Sequence, residues 1–489
     1  MTETLTVTAD HEVTMTIQAE PGVIAELHTF FSFFVPGYKF VPSFKNKLWD
    51  GKIYLFNRRT HRLYRGLLSH LQTFCQERGY ELNLDPLLLL TQEFSLQEAE
   101  DFIQSLMLPL VPREYQVKAF VHAVRFKRSL IVSPTGSGKS LILYLLVRWA
   151  QRQGLGPGLL ITPLTSLVEQ LYSDFRSYGW DVEKYVSRQY GDQKASDSTL
   201  LTISTWQSLY TKPAASFAPF RYVLGDEAHL YQAKSLQHIM TSLTNASLRV
   251  GCTGTLDGYK CNRLILEGVF GSVHQTTTTQ QLIVQKQLAP FRIKCLVLTY
   301  PKATCQMTKT LDYQGELDFI VSNQARRVFV KNLVLSLTQN TLVLFNYVEK
   351  HGKPLFEMIQ AAAGTRPVHF VFGGVPAKDR EVIRLLTEQE QGSIIIASSA
   401  VFSTGMNCHN LHNLVFASPS KSRIRNLQSI GRVLRTHDSK EEAVLFDIVD
   451  DLRIGKHQNF ALKHFIERMG VYDSEQFPTK QYPIDLANG

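Results

Sequence analysis

From residue 113 onward, short apolar runs alternate with amphipathic stretches of helical length, the pattern of strands buried on both faces of a parallel sheet and joined by crossover helices. One series of strands is predicted near 129–133, 158–162, 199–204, 221–225 and 248–252. A second follows near 292–299, 341–345, 368–372, 393–398, 412–417 and 443–449. Each series suits one doubly wound sheet, so two α/β domains are expected in tandem, with the joint near Gln285 to Pro290. The interval 84–112 combines a leucine run, an acidic helix-like stretch and prolines, and reads as the connection from a smaller α+β N-terminal domain. The expected divisions are 1–108, 109–287 and 288–489.

Composition narrows the class. At 489 residues, 44% hydrophobic and 19% charged, the chain matches ordered globular protein and excludes a disulfide-stapled mini-domain. Its longest apolar stretches fall far short of the roughly 20 residues that span a bilayer. The first twelve residues, MTETLTVTADHE, carry neither the basic start nor the apolar core of a secretory signal, and the six cysteines form no C-x-x-C pair. These features predict reduced thiols and a cytoplasmic protein. A net charge of +9 points to an anionic partner.

Candidate chemistry begins at SLIVSPTGSGKSLILYLLV, residues 129–147, a strand, a glycine-bearing loop and a helix in that order. Gly136 and Gly138 let backbone N–H groups turn toward phosphates, beside Pro134, Thr135 and Ser137. Lys139 is placed to neutralise the β and γ phosphates of ATP, and Ser140 to offer a hydroxyl to Mg²⁺. Ser133 stands where the G-x-x-x-x-G-K-[ST] pattern begins with glycine. Downstream, RYVLGDEAH (221–229) ends a strand in two carboxylates, Asp226 for the metal and Glu227 for the attacking water. NLQSIGRVLR (426–435) puts Gln428, Arg432 and Arg435 on a short helix-like segment, a source of positive charge for the departing phosphate.

The ordered set resembles the superfamily 2 DEAD/DEAH-type helicases over residues 113–450. Arg113-Glu114-Tyr115-Gln116 is similar to their adenine-reading segment, ITPLTSLVEQ (161–170) to motif Ia and TISTWQSL (202–209) to motif Ic. DEAH (226–229) resembles motif II, and Gly251 to Thr255 motif III, with Thr-Gly-Thr where many relatives have Ser-Ala-Thr. LVLFNYVEKHG (342–352), ASSAVFSTGMN (397–407) and QSIGRVLR (428–435) resemble motifs IV, V and VI. The resemblance implies two tandem RecA-like domains with parallel sheets and ATP in the cleft between them. It implies an ATP site of Arg113, Gln116, the loop 134–140, Asp226, Glu227, Gln428, Arg432 and Arg435, with Arg435 favoured as the arginine finger. Thr253 and Thr255 would couple hydrolysis to domain movement, and Thr165, Thr205 and Thr404 would hold a sugar-phosphate track.

Within 38–65 stand eight Lys or Arg and one acid, interleaved with seven aromatics, whereas the rest of residues 1–110 holds one basic residue against twelve acids. This concentration is an electrostatic footprint for a phosphate backbone, with Lys45, Lys47, Trp49 and Lys52 as candidate contacts. The aromatics are expected mainly in the core. Trp49-Asp50-Gly51-Lys52 is expected to be a tight turn between strands with Lys52 exposed. With the appended motor, the segment resembles the UvsW-type helicases of tailed phages. That resemblance implies 3′ to 5′ remodelling of forks, Holliday junctions and R-loops in recombination, replication and repair. The expected partner is DNA at branched or single-strand/duplex junctions, without a membrane. The residues alone leave open an RNA helicase, a motor subunit of a restriction system, and a non-catalytic DNA-binding scaffold, the last opposed by the intact phosphate and carboxylate residues.

Overall fold

The computed structural model describes residues 3–89, 91–191, 199–405 and 408–486. Contacts divide the chain into two compact units, Met1–Ser133 with Gly138–Thr277, and Thr278–Gly489 with the tetrapeptide Pro134–Ser137. Among the described residues no helix is long and apolar enough to cross a membrane.

The first unit opens with β1 (Thr4–Ala9), β2 (Thr14–Gln18), β3 (Ser32–Phe34), β4 (Lys52–Tyr54), β5 (Arg62–Tyr64) and β6 (Glu81–Leu84). β5-β2-β1-β6 form a mixed sheet, and β3 pairs with β4 in a separate ribbon. Alternate residues of β1 and β2 are buried, as expected of a sheet covered on one face. The first parallel sheet follows, built from β7 (Arg128–Val132), β8 (Gly158–Thr162), β9 (Val186–Gln189), β10 (Leu201–Thr205), β11 (Tyr222–Gly225), β12 (Leu248–Thr253) and β13 (Val273–Gln275), in the order β13-β7-β12-β11-β8-β10-β9. β8, β10, β11 and β12 are buried at every residue, including the polar Thr202, Ser204, Thr205, Arg249 and Thr253 of β10 and β12.

The N-terminal sheet is docked onto this parallel sheet, not tethered to it. A Cβ at Gly66 would lie 2.0 Å from the carbonyl oxygen of Glu267, so glycine alone permits that approach. Glu267, itself buried, meets His70 Nε2 at 2.7 Å. The Glu12 carboxylate bridges Arg65 at 2.9 Å and Arg128 at 2.5 Å. Leu264 of the helix Lys260–Phe270 completes the N-terminal core.

The second unit holds β14 (Phe291–Thr299), β15 (Thr341–Phe345), β16 (Val368–Val371), β17 (Ile394–Ser398), β18 (Asn413–Phe416), β19 (Ala443–Asp451) and β20 (Thr479–Asp485), parallel in the order β16-β17-β15-β18-β19-β14-β20. Two buried ion pairs radiate from β19. Asp450 takes Arg326 at 2.6 and 3.1 Å from the helix Gln324–Ser336. Asp447 takes Arg468, both bonds 2.9 Å, from the helix Phe460–Ser474. Residues three apart on a strand face opposite ways, so the pairs pin one helix to each face of the sheet. The eleven strands expected from the apolar pattern are present, and β9, β13 and β20 are additional. All three are edge strands that carry polar residues; β13 and β20 are partly open to solvent, whereas β9 is buried at three of its four residues. Pro483 within β20 is tolerated because that strand pairs on one side, with β14.

Candidate functional site

Strand order assembles the phosphate chemistry. β7, β12 and β11 lie side by side, with Val132 level with Thr253 and Gly225 level with Gly251. At about 4.8 Å between neighbouring strands, the loop after β7 and the carboxylates after β11 lie about 10 Å apart at the carboxyl edge, separated by the end of β12. The Ser133 N–H donates to the Thr253 carbonyl at 2.9 Å, fixing the level at which the loop departs.

Gly138 adopts φ +77°, and a Cβ there would sit 2.5 Å from Gln116 Nε2. Gln116 is buried against this loop; its Nε2 donates to the Gly138 carbonyl at 3.4 Å, and its Oε1 accepts from the Arg113 N–H at 2.8 Å. In this geometry Gln116 braces the loop, a role additional to the base-edge pairing expected from its motif. Arg113 is the N-cap of the helix Glu114–Phe126, and its guanidinium donates to the Tyr115 hydroxyl at 2.9 Å. Gly136 also has positive φ, and the Ser137 N–H donates to the Pro134 carbonyl across Thr135 at 3.2 Å. Lys139 opens the helix Lys139–Arg152, where the N-terminal dipole adds to its charge, and Nζ donates to the Ser133 carbonyl at 3.2 Å. The departure from glycine at Ser133 has a structural reason: its buried hydroxyl accepts from Thr276 Oγ1 at 2.8 Å.

Asp226 is buried, and desolvation, then the neighbouring Glu227 charge, pushes its carboxyl up to about 7. Ser140 Oγ lies 3.1 Å from the Tyr178 hydroxyl. One carboxylate and one hydroxyl fit Mg²⁺, which completes its shell with water and substrate phosphates. The burial of Asp226 supports the fit, because a desolvated carboxylate gains most from a cation. Glu227 takes φ +49°, a left-handed conformation uncommon for a side chain with a Cβ, as the chain reverses from β11 into the turn Ala228–Gln232. Its carboxylate is 3.3 Å from His229 Nδ1, which is 3.0 Å from Thr253 Oγ1. That hydroxyl donates to the Thr255 carbonyl at 3.1 Å. His229 thereby links Glu227 to Thr253, whose hydroxyl reaches the Thr255 carbonyl.

In the second unit the helix Arg423–Val433 carries Gln428 and Arg432 four residues apart on one face. The helix ends before Arg435, correcting the expectation that all three share one helical segment. Leu434 is its C-cap, and the Arg435 carbonyl is held at 2.8 Å by the buried Lys440 ammonium. Lys440 also donates to the carbonyls of Val433 at 3.0 Å and His409 at 2.5 Å. Tyr178 and Lys440 carry no local sequence signal; they are recognised by what they touch.

The nucleic-acid candidates separate. Thr165 is exposed as the first residue of the helix Thr165–Ser177 after β8. Thr205, at the end of the neighbouring β10, is buried, with its hydroxyl 3.1 Å from Ser208 Oγ, so the exposed group of that turn is Gln207. Thr404 falls in the helix Ser399–Gly405, but its side chain lies outside the described residues, as do Met406 and Asn407. Lys45 and Lys47 are exposed. Trp49 is half-buried, donating from Nε1 to the Lys52 carbonyl at 2.8 Å. Lys52 is also half-buried, with Nζ 4.9 Å from the Phe34 ring centre, correcting its expected exposure. The turn at 49–52 leads from the short helix Pro42–Lys45 into β4 and does not join two strands. Of the seven aromatics in 38–65, Phe56 alone is buried, so the expected core role fails for most of them.

Residues 109–258 match the family model described as the type III restriction enzyme res subunit, and residues 7–85 the model described as the DNA helicase UvsW N-terminal domain. The chain is 33% identical to the ATP-dependent DNA helicase uvsW of Enterobacteria phage T4 over 494 residues, covering 96% of this chain and 97% of that one. It is 22% identical to the DNA 3′-5′ translocase XPB2 of Sulfurisphaera tokodaii over 73% of this chain and 87% of the relative. The crystal structure of T4 UvsW matches with a TM-score of 0.54 and 30% identity, over 99% of this chain and 100% of that one. With the phosphate loop, paired carboxylates and N-terminal sheet found together along one chain, this protein belongs to the UvsW family of ATP-dependent DNA helicases.

Proposed function

We propose that this helicase is a 3′ to 5′ DNA motor that remodels branched DNA (forks, Holliday junctions and R-loops) in recombination, replication and repair. The observation that carries this reading is the basic, aromatic-rich lobe of the N-terminal domain, which belongs to the same compact unit as Lys139, Ser140 and the paired carboxylates Asp226 and Glu227. A duplex arm gripped by that lobe is held by the body that turns over ATP. Phosphate contacts supply affinity without sequence preference, as a junction-processing enzyme requires.

In the proposed chemistry the loop amides and Lys139 hold the β and γ phosphates. Mg²⁺ held by Ser140 and Asp226 would neutralise their charge. Glu227 orients the attacking water and takes its proton, while His229 passes the state of that carboxylate to Thr253 and Thr255. Arg435, with Arg432 and Gln428, supplies the positive charge on the departing phosphoryl group.

The test compares ATPase stimulation by a fork, a Holliday junction, an R-loop, single-stranded DNA and duplex RNA. The branched DNAs are expected to stimulate most; preferential stimulation by duplex RNA would sink the DNA-remodelling reading.

A pH dependence also follows. A carboxyl with a raised pKa keeps its proton up to about 7, and the protonated form binds no cation. Hence kcat/KM for MgATP, which reports the free enzyme, should fall about tenfold per unit below about pH 7. kcat should be flatter, because a bound cation holds Asp226 ionised. A pH-independent kcat/KM between about 6 and 8 would remove Asp226 from the metal site.

A further inference from the structure

The lobe between β3 and β4 has an unusual surface. Its own small cluster holds it together: Phe34 stacks on Tyr38 at 4.6 Å, Phe44 meets Tyr38 edge-on at 4.7 Å, and Gly51 packs so close to Tyr38 that a Cβ would lie 2.4 Å from the ring. Two large apolar side chains are left outside this cluster, Phe40 at 79% exposure and Leu48 at 80%. Among the described residues, Met107 and Val111 are the other large apolar side chains more than three-quarters exposed. Those two border a groove of mixed charge that includes Glu100, Glu114 and Lys118. Phe40 and Leu48 instead share their segment with Lys39, Lys45, Lys47 and Lys52, against a single acid, Asp50. Asp50 is exposed, and its carboxylate accepts from the Lys52 N–H at 3.0 Å and from the Tyr54 hydroxyl. Lys47, immediately before Leu48, adopts φ +58°, a left-handed conformation that residues with a Cβ uncommonly take.

We infer that Phe40 and Leu48 form an apolar wedge that enters the base stack where duplex meets single strand, while the flanking lysines hold the phosphates on either side. The inference rests on the DNA-remodelling reading above and assigns the unstacking step to named side chains. Nucleobases are the occupant favoured by charge: exposed apolar side chains in a segment rich in lysine complement a stack of bases edged by phosphates. Inserted Phe and Leu side chains are a physical means of opening a base step. Since both side chains are already in water, replacing them removes no core packing.

The test uses the full-length protein without ATP on a fork with thymines in the first base pair of the duplex arm, and reads their permanganate oxidation, which requires an unstacked base. Binding of the native protein is expected to raise reactivity at that pair about fivefold or more; the Phe40→Ser/Leu48→Ser variant should return it to the level of free DNA with fork affinity within about threefold. The Lys45→Glu/Lys47→Glu variant should behave oppositely, with affinity lowered and reactivity restored once the fork is saturated. With ATP, the serine variant should unwind the fork about tenfold more slowly while single-strand-stimulated ATPase stays within about twofold. Equal permanganate reactivity for the native and serine proteins on a bound fork overturns the wedge and leaves the DNA reading intact. Failure of the native protein to bind the fork overturns both. Self-association of the native protein that the serine variant lacks, by sedimentation and without a change in reactivity, reassigns the tip to a contact between copies.

Discussion

Lys139→Ala should reduce DNA-stimulated ATP turnover by at least about 10²–10³-fold, the cost of removing one preorganised charge from a phosphoryl-transfer site. Glycine-loop amides can still cradle a phosphate, but no other side chain of that loop carries a positive charge. The lysine opens its helix and donates to the Ser133 carbonyl, and it is not part of the apolar core beneath the loop, so its truncation leaves that core unchanged. Fork binding, which draws on cations of the N-terminal lobe, should therefore persist. Phosphate release at saturating DNA and fork anisotropy on the same preparation check both halves. Turnover within about tenfold of the native rate would place the phosphate site elsewhere.

Arg435→Ala should lower kcat by about 10³–10⁵-fold with little change in ATP affinity, the signature of a cation that acts on charge developing in the transition state. Arg435→Lys should recover little of this, because a point charge does not reproduce the planar fork of the guanidinium. The Arg435 backbone is held by Lys440, whose ammonium collects the carbonyls of Val433, Arg435 and His409. The substitution should therefore leave the local backbone in place, and nucleotide binding measured by fluorescence separates affinity from chemistry. Parallel losses in binding and turnover would make Arg435 a ground-state contact and not the finger.

The helicase strands were legible because strands buried on both faces concentrate apolar residues: GLLIT in β8 and YVLG in β11 are mostly apolar, and LTIST in β10 and LRVGCT in β12 keep apolar residues at alternate positions. β9, β13 and β20 escaped because an edge strand pays less for polar residues, and VSRQ, VHQ and TKQYPID have no periodic apolar signal. The glycine loop and the paired carboxylates were legible as candidates because glycine, lysine and paired acids at those positions suit chemistry that few other residues can do. Networks that cross between elements were not. Nothing local links Ser133 to Thr276, Ser140 to Tyr178, or Lys440 to Arg435. The N-terminal aromatics misled for a related reason: hydrophobicity measures the gain from burial, but whether a segment reaches a core depends on the turns around it.

By itself, the order of residues along the chain determined the parallel α/β character, the residue types proposed to bind ATP and the concentration of positive charge near the N-terminus, since each depends on neighbours within a few positions. Tertiary structure decided which strand ends lie side by side, that Gly66 admits the N-terminal sheet onto the motor sheet, that Thr205 faces inward, and that Phe40 and Leu48 face water. Those outcomes depend on distances between residues remote in sequence, which packing sets and local pattern does not encode.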